Sequence, residues 1–229
     1  MHLLHRGGMG AGMPWSEGPL IHEGAEGLVH LGYWFNEAAV MKVRRPRGYR
    51  DPSLDRALTK TRILSELRIL RQMHHIGMNT PLILDADINS GTIVMTQIAG
   101  SPLFEHLRSP AMSEDSARGV FHMVGATIRQ LHLNGASHGD LTTHNIMWDE
   151  EGGVGLIDFG LGRLSPEIES LGQDIQVLNE CLSASHPDHP YALDEVLKGY
   201  ADQQDAGEPS ANEVIERFNQ IRGRVRYHG

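Results

Sequence analysis

Cysteine is almost missing from this 229-residue chain. Cys181 is the only one, so no disulfide can form within the chain, and a reducing, cytoplasmic setting is expected. Cys181 lies in the apolar run IQVLNECLSAS and reads as a small buried hydrophobe. Long apolar stretches are missing as well. None approaches the roughly 20 residues that a membrane-spanning helix requires, and MHLLHRGGMGAGMPWSEG at the start lacks the apolar core of a secretory signal. No membrane association is therefore expected. The net charge of −9 argues against a protein that coats polyanions over its whole surface. Acid is nevertheless absent from two segments, MKVRRPRGYR (41–50) and RFNQIRGRVRYHG (217–229). A solvated basic face accounts for either alone, whereas two on an acidic chain admit a phosphate-bearing partner. Fourteen histidines do not add up to a zinc site, because no helical His-x-x-x-His pair carries a supporting Glu.

The pattern along the chain is α+β. Residues 1–18 read as an unstructured Gly/Met-rich arm. From Pro19 to Arg45, the runs LIHEG, LVHLGYWF and EAAVMKV read as strands parted by turns. Asp51-Pro52-Ser53 is an N-cap signal for a long helix ending at Gly77, with Leu54, Leu58, Leu64, Leu67, Leu70 and Met73 at helical spacing. Two more strands, PLILDAD and TIVMTQI, flank the turn Asn89-Ser90-Gly91. After Gly100 the character is helical. Ser113 opens a helix whose face carries Val120, Phe121, Val124, Ile128 and Leu131, and Asn134-Gly135 closes it. A hairpin of IMW and VGLI around DEEGG follows, then helices over 170–185, 190–202 and 210–222. The expected plan has two lobes, 19–98 and 99–216, joined near Thr96–Gly100, with a basic tail at 217–229.

The chemistry concentrates in SHGDLTTHNIMW (137–148). By itself this could be a surface loop, since Gly, Asp, Thr and Asn are ordinary turn residues. The hairpin changes that. Residues just before its first strand and just after its second lie at the same end, so Asn145 and Asp158-Phe159-Gly160 meet. Two oxygen-bearing side chains there suit Mg²⁺ completed by nucleotide phosphates. Asp140 lies where it could orient an acceptor hydroxyl, and His138 reads as a structural support of the loop. A kinase reading then demands a lysine on the third strand and a glutamate on the next helix. Lys42 and Glu66 stand at those places. HEGAEG, between the first two strands, sits where a phosphate-covering loop belongs, although it holds fewer glycines than G-x-G-x-x-G.

These residues resemble one family, the small atypical kinase of the KEOPS complex, whose members assist formation of threonylcarbamoyl-adenosine next to the tRNA anticodon. The resemblance runs from Ile21 to Gly229 on EGAEG (23–27), RGYRDPSLD (47–55), HGDLTTHN (138–145), LIDFGLG (156–162) and RGRVR (222–226). It implies a minimal bilobal protein-kinase-like fold with ATP and Mg²⁺ in the cleft. Asp140 would be catalytic, Asn145 and Asp158 would be metal ligands, and Lys42 would pair with Glu66. Gly24, Ala25 and Glu26 would cover the phosphates, Met95 would back the adenine, and Thr96 to Ile98 would present backbone groups to it. The implied activity is that of a non-specific serine/threonine kinase or an ATPase switched on by a threonylcarbamoyl-transferase subunit. A small helical subunit and tRNA are the other implied partners, the tRNA engaged partly by Arg222, Arg224 and Arg226. Three positions depart from the family: His144 for Ser, Leu171 for Lys and Ile63 for Thr. Only 69 residues follow Gly160, which leaves no room for a phosphorylated activation loop and points to a constitutively assembled site that depends on a partner. Two alternatives stay open, a small-molecule phosphotransferase of the aminoglycoside or choline kinase type and a pseudokinase scaffold. A scaffold has no physical need for Lys42, Asp140, Asn145 and Asp158 together.

Overall fold

A computed structural model describes residues 14–24, 27–45, 51–202 and 207–226. Strands β1 (Trp15–Gly24), β2 (Gly27–Trp34), β3 (Glu37–Arg44), β4 (Ile83–Asp87) and β5 (Thr92–Thr96) form one antiparallel sheet in the order β1-β2-β3-β5-β4. The first strand starts earlier than the composition suggested. Trp15 pairs with Trp34, its ring lies over Gly32, and the Pro14 carbonyl accepts the Phe35 N–H at 2.8 Å. Cross-strand pairing of the two tryptophans extends the sheet into what had read as a disordered arm.

Helix α1 (Pro52–His75) crosses over between β3 and β4. Asp51 caps it, accepting the N–H groups of Ser53 and Leu54, and Pro52 occupies the first turn, where its missing N–H costs nothing. Leu70 and Met73 of the leucine series are buried, together with Asp55, Ile63, Glu66 and Ile69, whereas Leu58, Leu64 and Leu67 are half-buried and Leu54 is 53% exposed. The inward face therefore includes two carboxylates that apolar spacing alone does not indicate. Ile63 packs with Ile93 and Met95 against the sheet, whereas Ile69, Leu70 and Met73 join the core of the helical lobe. One helix is thus fixed in both lobes.

The second lobe comprises β6 (Ser101–Pro102), α2 (Leu103–Leu107), α3 (Glu114–Leu133), β7 (Ala136–Ser137), β8 (Ile146–Asp149), β9 (Gly153–Leu156) and β10 (Arg163–Leu164), followed by α4 (Ile168–Ser185), α5 (Ala192–Ala201) and α6 (Ala211–Arg226). β8 and β9 form the expected hairpin, with β6 added at its side, and β7 pairs with β10. Val120, Phe121, Val124, Ile128 and Leu131 of α3 are all buried. At Gly125 a Cβ would overlap the Val196 carbonyl, so α3 and α5 touch backbone to backbone. Residues 217–226, expected as a separate basic tail, belong to helix α6. Val214, Phe218 and Ile221 recur at helical spacing, and the first two are fully buried.

Candidate active site

Lys42, on the central strand β3, is the hub of an ionic cluster. Its Nζ donates to Glu66 Oε1 at 2.8 Å and to Asp158 Oδ1 at 2.6 Å. A second cation, Arg44, donates from Nη2 to Glu66 Oε2 at 2.8 Å. Glu66 is 1% exposed, so its two oxygens each hold one cation in a nearly dry site. Arg44 also lies against Gly160, where any side chain would overlap its guanidinium. Burial alone would push the Lys42 ammonium down, but the charges of Glu66 and Asp158 outweigh it and hold its pKa up. Asp158 shows the reverse balance: burial pushes it up, while Lys42, the Gly160 N–H and Arg44 bring it below the ordinary carboxylate value. Sequence reasoning missed Arg44. The signal was there, since residues two apart on a strand share a face.

The loop between β7 and β8 is held from beneath. Asp174 of α4, 1% exposed, accepts the backbone N–H of His138 on Oδ2 (2.7 Å) and that of Gly139 on Oδ1 (2.8 Å). His132 Nε2 approaches Oδ2 at 3.2 Å, with its Nδ1 at 2.8 Å from the Tyr200 hydroxyl. Burial drives the Asp174 pKa up, yet the His132 contact and the backbone N–H groups bring it down overall. His138 is the expected support. Its Nε2 donates to the Ile157 carbonyl at 2.9 Å, which leaves Nδ1 to accept the Asp140 N–H at 3.3 Å. Gly139 has φ +81°, and a Cβ there would overlap the Leu161 carbonyl, so the middle position of His-Gly-Asp admits only glycine. Asp174 and His132 were not legible as site residues, because a lone acid in SLGQDIQVL looks like a surface charge.

Asp140 and Asn145 are joined directly. Asn145 Nδ2 donates to the Asp140 carbonyl at 2.8 Å and to its Oδ2 at 3.2 Å. The Asn145 carbonyl accepts the Ile157 N–H at 3.0 Å, next to Asp158, which takes a left-handed backbone (φ +61°). Asp tolerates this region better than most residues, and such conformations cluster at functional sites. The hairpin therefore brings Asn145 and Asp158 to one end, as the spacing predicted. With the Asn145 amide nitrogen committed to Asp140, its Oδ1 and the 45% exposed Asp158 side chain are the hard-oxygen donors on offer. Two such donors, with nucleotide phosphates and water, fit Mg²⁺. Among the described residues no cluster of three His, Cys, Asp or Glu side chains surrounds a cation position.

Below the loop, Thr143 Oγ1 lies 3.0 Å from His186 Nε2 and 3.4 Å from Cys181 Sγ. Cys181 is thus half-buried and polar in its contacts rather than a core hydrophobe. His144 is exposed and stacks on Phe104 at 4.0 Å between centroids. Leu171 is buried in the core of α4, where a lysine would be costly. Ile63, the other departure, is fully buried against the sheet.

Met95 and Ile98 are buried near the lobe junction. The Thr96 N–H is already given to the Leu82 carbonyl (2.9 Å), so Thr96 has no N–H to present to a base. Gly24 ends β1 opposite Gly27, whereas Ala25 and Glu26 fall outside the described residues. Arg222 and Arg224 lie on α6, with Arg224 Nη1 3.8 Å from Glu169, which also holds Arg217; the Arg226 side chain is outside the described residues.

A model of the protein kinase domain matches residues 16–204. A KEOPS complex subunit Bud32 of Pyrococcus abyssi is 36% identical over 91% of this chain and 96% of its own length. An EKC/KEOPS complex subunit of Schizosaccharomyces pombe is 30% identical over 90% of this chain and 87% of its own. A probable bifunctional tRNA threonylcarbamoyladenosine biosynthesis protein of Methanothermobacter thermautotrophicus is 33% identical over 91% of this chain, which spans only 36% of that longer relative. Among solved structures, a Rio2 kinase–ADP/Mg²⁺–phosphoaspartate complex from Chaetomium thermophilum gives a TM-score of 0.60 at 16% identity, covering 93% of this chain and 72% of that one. That likeness shows the fold, a kinase-like antiparallel sheet lobe above helices. The matches across nearly the whole length establish that the chain belongs to the protein kinase domain family and, within it, to the family of the KEOPS subunit Bud32.

Proposed function

We propose that this chain is an ATP- and Mg²⁺-dependent kinase or ATPase subunit of a KEOPS-type complex that supports formation of threonylcarbamoyl-adenosine in tRNA. The observation that carries the reading is the bridge of Lys42 between Glu66 and Asp158 at the hairpin end that also holds Asn145. A lysine fixed this way meets the α- and β-phosphates while Glu66 keeps its ammonium aimed. Asn145 Oδ1 and Asp158 would hold Mg²⁺, which supplies charge neutralisation on the β- and γ-phosphates. Asp140, anchored through Asn145, orients the acceptor oxygen. That oxygen bonds to the γ-phosphorus, the bond to the β–γ bridging oxygen breaks, ADP departs, and the acceptor proton passes to Asp140. With a serine or threonine acceptor the product is a phosphoprotein; with water it is inorganic phosphate. Arg44 and Asp174 hold the two halves of the site without touching the reacting atoms.

The partners proposed are a threonylcarbamoyl-transferase subunit, a small helical subunit and tRNA, in a cytoplasmic setting. The names of the relatives support membership of a KEOPS-type complex, and no helix among the described residues is long and apolar enough to cross a membrane. Phosphate release from γ-labelled ATP with Mg²⁺ tests it, for the wild type and Asp158→Ala, each alone and with the transferase subunit and tRNA. Release that rises with the partner and vanishes in the variant is expected. Bound ATP with no release under any condition would make the chain a scaffold.

A further inference from the structure

Helix α1 carries its chemistry on two faces, and only the inner one belongs to the ATP site. Its two acids, Asp55 and Glu66, are both buried. Its outer surface carries Arg56, Lys60, Arg68 and Arg71, all exposed, with His74 and His75 beyond them. At 100° per residue the four cations fall within an arc of about 120°, opposite the buried residues, and extend along roughly 22 Å of the axis. Among the described residues no acid pairs with any of the four, and none donates a side-chain hydrogen bond. A helix of 24 residues with all its exposed charge of one sign forgoes the stabilising i,i+4 pairs such a surface ordinarily uses, and like charges at that spacing, Arg56 and Lys60 among them, repel. On a chain of net charge −9 this is a localised cationic stripe rather than part of a general excess.

We propose that the outer face of α1 binds the phosphate backbone of a structured RNA. Unpaired arginine and lysine in a row suit a polyanion whose charges are also in a row, and binding there gains from counterion release. The stripe is better suited to this than the arginines of α6, where Glu169 sits close to Arg224 and engages Arg217. Because Ile69, Leu70 and Met73 fix α1 to the helical lobe and Glu66 fixes it to Lys42, RNA on the outer face would bear on the same rigid element that aligns the ATP site. The proposal rests on the functional reading above only in taking tRNA as the RNA concerned.

The test is direct binding, read without nucleotide, so that a failure of ATP turnover leaves it standing. Fluorescently labelled tRNA transcript and an unrelated RNA duplex are titrated with the full chain and with the Arg56→Gln/Lys60→Gln/Arg68→Gln/Arg71→Gln variant, at several salt concentrations. The substituted side chains are exposed, and an unchanged melting temperature and Mg²⁺-ATP affinity will show that the fold and the ATP site are intact. The variant is expected to bind both RNAs at least about tenfold more weakly at low salt, with the slope of log affinity against log salt reduced by about 3. The same affinity and slope in variant and wild type would overturn the proposal. So would an Arg222→Gln/Arg224→Gln variant that alone abolishes binding, which would return the RNA contact to α6. Retained RNA binding with lost association to an acidic protein subunit would overturn it in favour of a protein-docking face.

Discussion

Two nearly dry carboxylates hold this molecule's site together, and they are satisfied in opposite ways. Glu66 has a full positive charge on each oxygen, Lys42 on one and Arg44 on the other. Asp174 has two backbone N–H groups and one histidine. The first arrangement contains a shared member, because Lys42 also reaches Asp158, and a nucleotide bound as proposed would offer both of them other partners. The second contains none: its partners are the main chain of the loop that carries Asp140 and the buried ring of His132. The cleft is therefore a set of exchangeable charges resting on a fixed frame. Only residues 161–167 lie between Gly160 and α4, and the loop that carries Asp140 is held from beneath by Asp174 of that helix.

Removing the frame is expected to have the largest effect. Asp174→Ala leaves the buried N–H groups of His138 and Gly139 without acceptors, at about 1–3 kcal/mol each. We expect a total loss of about 3 kcal/mol, which for a domain of this size lowers the melting temperature by roughly 6–12 °C. Turnover should fall with it, because Asp140 loses its anchorage. Asp174→Asn keeps one oxygen and should recover part of both losses. The comparison breaks if Asp174→Ala melts normally. The acid side sharpens it further. The folded-state pKa of Asp174 is lowered, so its contribution is complete above the unfolded value near 4 and is lost as pH falls through the folded value. Asp158 has the same sign. Melting curves in acid should show the wild type losing stability more steeply below about pH 4 than Asp174→Asn does.

The ionic half should divide stability from catalysis. Arg44→Ala strands one oxygen of a buried carboxylate and is expected to cost about 3 kcal/mol, in the range for breaking a buried pair. Arg44→Lys should not restore it, since a single ammonium cannot reproduce a planar fork lying against Gly160. Lys42→Ala also strands an oxygen, but it additionally removes the group proposed to meet the phosphates. Its turnover should therefore fall by far more than its stability, at least about 100-fold, while Arg44→Ala loses the two in proportion. Thermal melts and phosphate release measured on both variants decide this. Equal proportions for Lys42 and Arg44 would reduce Lys42 to a structural cation.

How much of this the sequence discloses follows from what fixes each residue. Asp140, Asn145 and Asp158 are legible because a tight hairpin converts sequence spacing into spatial coincidence. Lys42 and Glu66 are legible because strand and helix order is strongly patterned. Arg44 and Asp174 are not, for each looks like a surface charge until a partner far away in the chain is placed against it. Helix α1 shows the same limit. Leucines at helical spacing place Leu70 and Met73 inward but do not disclose the buried carboxylates of Asp55 and Glu66, the latter met by Lys42 and Arg44 from a distant strand. Cys181 misled for a related reason, its hydrophobic neighbours in sequence giving no hint of Thr143.

The smallest effect expected belongs to His144, the residue next to Asn145. It lies outside both arrangements: its ring is exposed and stacks on Phe104, with Arg108 over the same ring at 5.2 Å. An exposed aromatic stack is worth about 0.5–1 kcal/mol, so His144→Ser should shift the melting temperature by only a few degrees. Asn145 is held by its own bonds to Asp140, by the Thr142 carbonyl that accepts its N–H, and by Ile157, none of which passes through the imidazole. Phosphate release by His144→Ser should accordingly stay within about threefold of wild type, an effect under 1 kcal/mol on the barrier. A loss as large as that of Lys42→Ala would mean that the imidazole touches the acceptor and that the frame extends to the loop's outer edge.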